Sequence, residues 1–331
     1  ADSLGKRYGM NTSQLGITAV IIHVILSGVI LDNGIGNQYL GAEGLFTSIV
    51  SAILTVEVTR LMIRKNMVIK LPESVPVMVG ESFSSLLPLI VNAIIATIIV
   101  AITNKLSGKV FPEFIMSILA PAISSMDTLP AILIVMFLTQ LLWFFGLHGP
   151  AITSAVWAPF AIQYAADNIA AYTAGDPVTH FFTFGLYYTT LQVTGSGLTL
   201  GLVLMMMKSK ASSISAVGKV GIIPSIFGIN EPIIFGAPII LNPFMFVPFV
   251  FGPLIITVLT YFAYTSGLVG MPIANPPSFL PPGVGAFLMT LDWKAVVLVF
   301  VNLIIMTIIY YPFLKAMEAD ELRKEQEQQT A

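Results

Sequence analysis

Glu231 is the one charged residue between Lys219 and Asp292. It lies in Ser225-Ile226-Phe227-Gly228-Ile229-Asn230-Glu231-Pro232-Ile233-Ile234-Phe235-Gly236-Ala237-Pro238, an apolar run broken by Gly and Pro at short intervals. At membrane depth an ionisable group is costly and is kept mainly where it faces a protein-enclosed or wet cavity. Backbone interrupted by Gly and Pro is tolerated there under the same condition. Together these features point to a re-entrant segment that carries one carboxylate into a polar pocket. The alternative is a Glu in an ordinary interhelical loop. His148 sits at a second break, after Trp143-Phe144-Phe145-Gly146-Leu147 and before Gly149-Pro150. There an imidazole can reach a cavity, although a lone His at a helix end is otherwise structural.

Uncharged polar residues are scattered through the apolar segments: Asn92, Gln140, Gln192, Thr194, Ser196, Asn230 and Asn242. That chemistry suits a neutral, hydroxyl-rich ligand, because an ion pathway or proton relay normally carries more intramembrane Asp or Glu. Trp143 and Trp157 flank His148 and can offer flat faces to a sugar ring, whereas Trp293 fits an interfacial belt. His23, within an apolar run and one turn before Ser27, reads as an interhelical packing residue. His180 is undecided between the two roles. The chain has no Cys, which excludes disulfides, thiolate metal sites and a cysteine nucleophile of its own. It also lacks a Walker A motif, a dinucleotide fingerprint, a metal-ligand pair at helical spacing and a Ser-His-Asp grouping. Neither a metal nor a cofactor is expected.

The elements that must position these groups are helices in a bilayer. Of 331 residues, 56% are hydrophobic and 10% are charged, against roughly 25% charged in a soluble domain. No basic stripe of the kind that binds nucleic acid is present. Long apolar runs predict an all-α, polytopic helical membrane protein rather than a barrel. Spans are expected near Leu15–Leu31, Leu45–Ile63, Leu86–Thr103, Leu129–Leu147, Phe184–Met207, Phe244–Ser266 and Trp293–Leu314. Pro72–Ser85 and Val110–Met126 read as interfacial amphipathic helices. His148–Phe182 and Gly221–Pro243 are the re-entrant candidates, and Lys315–Ala331 reads as a helix end that frays. Basic clusters at Lys6-Arg7, Arg60–Lys70, Lys208–Lys219 and Lys315–Lys324 are cytoplasmic by the positive-inside rule. Charge leaves the orientation of segments after Thr103 open.

The run Ile222–Pro243 containing Asn230-Glu231-Pro232 resembles a signature of the enzyme IIC component of bacterial sugar phosphotransferase systems, in particular the lactose/cellobiose/diacetylchitobiose family. Trp143-Phe144-Phe145-Gly146-Leu147-His148-Gly149 resembles that family's second signature. Tyr39–Phe46, Ile69–Pro76 and the Pro-rich Asn275–Gly285 region before Asp292-Trp293 also match its pattern. Two departures stand out. Members begin with additional transmembrane helices, so Ala1 is expected to be internal, with part of the dimer-forming half absent. Gly228 occupies a position that is often polar in members.

The resemblance implies a homodimeric permease of the bacterial inner membrane. Residues 1–128 would form the dimer-interface domain, 129–314 the sugar-binding transport domain and 315–331 a cytoplasmic tail. A cytosolic IIB partner, phosphorylated on its own cysteine, would pass phosphate to a bound β-linked disaccharide. By position, Glu231 and His148 match the family's sugar-site carboxylate and histidine. Asn230, Trp143, Gln140, Gln192, Trp157 and Asn92 are the expected sugar contacts. A carboxylate near a sugar 6-hydroxyl can accept its proton as it attacks phosphorus. The competing reading is a proton-coupled sugar transporter without phosphorylation.

Overall fold

The computed structural model describes residues 1–28, 30–31, 34–35, 38–41, 44–69, 72, 77–237 and 239–330. Among the described residues the regular elements are helices, apart from one two-residue antiparallel pairing, Ile30–Leu31 with Gly34–Ile35. Two compact units are present, Ala1–Ala122 and Ile123–Ala331. Among the described residues four helices are long and apolar enough to cross a membrane: Leu45–Arg64, Gly80–Ser107, Pro243–Thr265 and Trp293–Glu327. Large apolar side chains face outward along them. Ile90, Ile94, Ile98 and Ile102, spaced one helical turn apart, are each between 51% and 54% exposed, as suits a helix whose solvent is lipid.

In the N-terminal unit, α1 (Asp2–Arg7) leads to α2 (Thr12–Ser27), α3 (Leu45–Arg64), α4 (Val77–Ser107) and α5 (Phe111–Met126). Asn11 caps α2 by accepting from the backbone N–H groups of Ser13 and Gln14, and Gly28 ends it in the left-handed region. α2 packs against both α3 and α4, around Ile22, Leu26, Ala96 and Phe111. Pro88 lies within α4, and Asn92 follows it by one turn. Its amide donates to the Pro88 carbonyl at 2.9 Å and to Thr59 Oγ1 of α3 at 3.2 Å. The separate interfacial helix expected over Pro72–Ser85 is not formed as such, since from Val77 onward the chain already belongs to α4. Lys70, Leu71 and 73–76, like Ala42 and Glu43 of the motif Tyr39–Phe46, lie outside the described residues.

The second unit contains α6 (Leu129–Phe144), α7 (Gly149–Ala174), α8 (Phe184–Leu186), α9 (Leu200–Met206), α10 (Ser212–Ile226), α11 (Glu231–Gly236), α12 (Pro243–Thr265), α13 (Val284–Thr290) and α14 (Trp293–Thr330). α12 packs against α6 and α14, and α9 against α10 and α14. Asn302 of α14 donates to Thr260 Oγ1 of α12 at 2.9 Å, a polar tie where two apolar helices meet.

His148–Phe182 is mainly the continuous 26-residue α7, which accommodates Pro159. Two expectations are corrected here. Phe184–Met207 is not one span. α8 runs into a π turn at Tyr187–Leu191, and the chain then leaves helical geometry until Leu200. Gly195, Gly197 and Leu198 there have φ of +84°, +86° and +49°, which a right-handed helix cannot contain. The freed carbonyls find partners. Tyr310 O–H donates to Gly197 O at 2.9 Å, and the Asn230 amide donates to Ser196 O. Lastly, the tail does not fray at Lys315, because α14 continues to Thr330. Glu318 accepts from the Ser209 hydroxyl at 2.7 Å and the Lys210 N–H at 2.6 Å, and pairs with Lys315. Glu325 accepts from the Ser212 N–H at 2.9 Å and its hydroxyl at 2.7 Å. These carboxylates hold the α9–α10 turn and cap the start of α10.

Candidate functional site

The breaks in the second unit converge on one cavity. Trp143 and His148 come from the end of α6 and the start of α7, and Tyr187, Tyr188, Gln192 and Ser196 from the interrupted α8–α9 segment. Gly228, Asn230 and Glu231 come from the α10–α11 junction, and Phe279 from the loop before α13. The cavity holds about 580 Å³ of non-protein space, part of it open solvent.

His148 is the N-cap of α7, and its Nδ1 accepts from the Ala151 N–H at 3.1 Å. That acceptor role leaves the proton of a neutral imidazole on Nε2. Nε2 points to Glu231 Oε1 at 3.6 Å. The ring also lies against Trp143, with centroids 4.5 Å apart. Glu231 is the first residue of α11, and Pro232 follows it. The Ile233 and Ile234 N–H groups of that first turn donate to Asn230 O, so the Glu231 carboxylate is left to the cavity side. Asn230 is buried beneath it and donates to Ser196 O and to Thr199 Oγ1, the latter at 3.3 Å. Its amide therefore clamps the interrupted α8–α9 segment to the Glu231 junction. Gly195 makes that clamp possible, because a Cβ there would collide with the Asn230 side chain.

Several polar atoms on the wall have no protein partner: Trp143 Nε1, Gln192 Oε1 and Glu231 Oε2. Buried polar atoms of this kind are normally satisfied, and among the side chains around the cavity these three and the Tyr187 O–H are the exceptions. The wall carries no Lys or Arg.

Residues 3–253 match the family model described as phosphotransferase system, EIIC. The chain belongs to this family. Similar EIIC proteins include the oligo-beta-mannoside-specific component of Bacillus subtilis (strain 168), 34% identical over 98% of this chain and 76% of that one. The cellobiose-specific component of Lactococcus lactis subsp. lactis (strain IL1403) is 32% identical over 93% of this chain and 68% of that one. The crystal structure of the transporter ChbC, the IIC component of an N,N'-diacetylchitobiose-specific system, superposes with a TM-score of 0.92. The two are 28% identical, over 97% of this chain and 78% of ChbC.

Of the EIIC site residues expected from sequence, Glu231, His148, Asn230, Trp143 and Gln192 line the cavity, and Gln140, Trp157 and Asn92 do not. Asn92 lies in the N-terminal unit, where Pro88 and Thr59 occupy its amide donors. Trp157 is fully buried, donates to Thr153 Oγ1 at 3.3 Å and packs its ring 4.2 Å from that of Tyr187. It backs a cavity wall instead of forming one. Gln140 is fully buried one turn before Trp143. Sequence reasoning missed Tyr187, Tyr188 and Phe279. Phe279 carries a signal that could have marked it, as a bulky aromatic between Pro277 and Pro281. It stands 59% exposed with φ of +65°, a conformation rare for such a side chain. His180, undecided from sequence, is a tie in the α7–α8 loop: Nδ1 meets Asp127 at 3.0 Å and the ring stacks on Tyr164.

Proposed function

We propose that this chain is the membrane permease of a phosphotransferase system for a neutral β-linked disaccharide of the cellobiose, diacetylchitobiose or lactose class. The sugar occupies the cavity between Trp143 and Phe279 and presents its 6-hydroxyl to Glu231. The observation that carries this reading is the approach of His148 to Glu231, 3.6 Å apart, on the wall of a cavity lined by Trp143, Tyr187, Phe279, Gln192 and Asn230 and by no Lys or Arg.

The sugar O6 attacks the phosphorus held on the cysteine of a cytosolic IIB partner. The new P–O bond forms as the P–S bond breaks, the thiolate leaves, and the O6 proton passes to Glu231. The Nε2–H of His148 directs the carboxylate and helps hold the hydroxyl. Positioning supplies most of the rate in such a loose transition state. The IIB partner is supported by the family and by the names of relatives, among them lactose-specific EIICB components such as that of Lacticaseibacillus casei. In the same reading, the unit Ala1–Ala122 supplies the contact between two copies in the bacterial inner membrane. The unit Ile123–Ala331 carries the sugar, with the interrupted α8–α9 and α10–α12 segments as its re-entrant parts.

The test is formation of phosphorylated disaccharide by vesicles holding this chain and supplied with phosphorylated IIB. Uptake of unmodified sugar with proton entry would overturn the reading.

A further inference from the structure

The N-terminal unit holds a second constellation, remote in sequence from the sugar cavity. Arg7 at the end of α1 and Arg60 and Arg64 at the end of α3 line one groove with Tyr8, Met10 and Ile63. Arg60 is fixed in place. Its guanidinium lies 3.8 Å over the Tyr8 ring and 3.4 Å from Glu57, and the Tyr8 hydroxyl donates to the same carboxylate at 2.8 Å. Among the described residues neither Arg7 nor Arg64 has an ion pair. Glu57 offsets one of the three guanidinium charges. The neighbouring Glu81 is held by the Asn11 amide at 2.7 Å, and Asp2 by Lys6 at 2.8 Å. The groove therefore keeps a positive excess.

We infer that this groove is a binding site for a phosphate-bearing anion, with an anionic phospholipid headgroup as its source. Guanidinium forks match phosphate oxygens in pairs, and Arg is less strongly hydrated than Lys, so it surrenders water readily to such a contact. The position fits a lipid. Arg60 and Arg64 end a helix long and apolar enough to cross the membrane, and Ile63, 46% exposed, gives the groove an apolar flank. Basic residues just beyond a span attract anionic lipid by about a factor of five each. Here the stacked Arg60 supplies geometry and the unpaired Arg7 and Arg64 supply charge.

The experiment is native mass spectrometry of the purified, delipidated chain incubated separately with phosphatidylglycerol and with phosphatidylcholine of the same acyl chains. The wild type should retain phosphatidylglycerol preferentially. The R7Q/R64Q variant should lose that preference by roughly thirty-fold, with thermal stability and disaccharide binding unchanged. A single R64Q variant, which changes only one exposed side chain, should lose part of it. Raising salt should weaken the wild-type preference, since exposed charges are screened. A parallel arm adds inorganic phosphate. Displacement of the lipid by millimolar phosphate would keep the anion site and assign it to a soluble source. Equal retention of the two lipids, or retention unchanged in both variants, would overturn the inference.

Discussion

His148 divides its imidazole between two tasks: Nδ1 closes the first turn of α7 through Ala151, and Nε2 faces Glu231 at 3.6 Å. A part of the fold and a part of the site thus share one ring. The two can be separated by substitution. His148→Asn retains a side-chain oxygen able to cap α7 but withdraws the group facing Glu231, whereas His148→Ala removes both. The Asn variant should keep near-normal stability, and the Ala variant should lose about 1 kcal/mol. Both should bind disaccharide weakly. Thermal unfolding and sugar titration on the two proteins check this, and tight binding by either variant would remove His148 from the site.

Glu231→Gln separates binding from chemistry. The amide is isosteric and keeps a hydrogen bond, but it accepts no proton near neutral pH. Phosphorylated-sugar formation with phosphorylated IIB should fall by about a hundredfold or more, while disaccharide binding persists. Rates close to wild type would exclude Glu231 as the base.

Gly195 is required by conformation and by space, since its φ is +84° and a Cβ would strike Asn230. Gly195→Ala should destabilise the protein by more than about 1 kcal/mol. It should also weaken sugar binding, because displacing Asn230 moves the junction that holds Glu231. A stable variant with intact affinity would show that the clamp is dispensable.

The cavity should reject acids. Its wall carries the Glu231 carboxylate and no Lys or Arg, so a sugar acid meets repulsion without a compensating cation. Displacement of a bound β-linked disaccharide by a sugar acid should require a higher concentration than displacement by its neutral parent. Tighter binding of the acid would contradict the assigned pocket chemistry.

A stability effect is expected at low pH from the start of α14. Burial pushes the Asp292 carboxyl up. Hydrogen bonds from the backbone N–H groups of Lys294 and Gly270, both 2.9 Å, outweigh it and hold the group below its ordinary value. A lowered folded-state pKa stabilises the fold above the unfolded value near ~4, and that contribution is lost as pH falls through the folded value. Asp292→Asn should therefore flatten the dependence of unfolding temperature on pH below about 4. An unchanged profile would show that Asp292 contributes nothing there.

The long helices were legible because sustained apolar length is sufficient evidence for them, as at α3, α12 and α14. The interruption after Tyr187 was not. Gly195-Ser196-Gly197 sits in a run as apolar as a span, and the groups that stabilise the opened backbone, Asn230 and Tyr310, are distant in sequence. That Glu231 and His148 share one cavity wall was legible because each is a costly group beside a chain break. Gln140 and Trp157 had suitable chemistry, but a helix apolar on all sides does not reveal which face turns inward. Asn92 was misleading because an amide one turn after a proline serves the helix itself.

Glu318 and Glu325 grip the chain at the start of α10, whose other end runs into the junction bearing Glu231. Mechanically, α10 is a lever with its handle under that grip and its working tip at the cavity wall. A chain shortened before Glu318 would leave every cavity residue in place and still slacken the tip, so a defect in sugar handling there would arise from lost leverage at the handle.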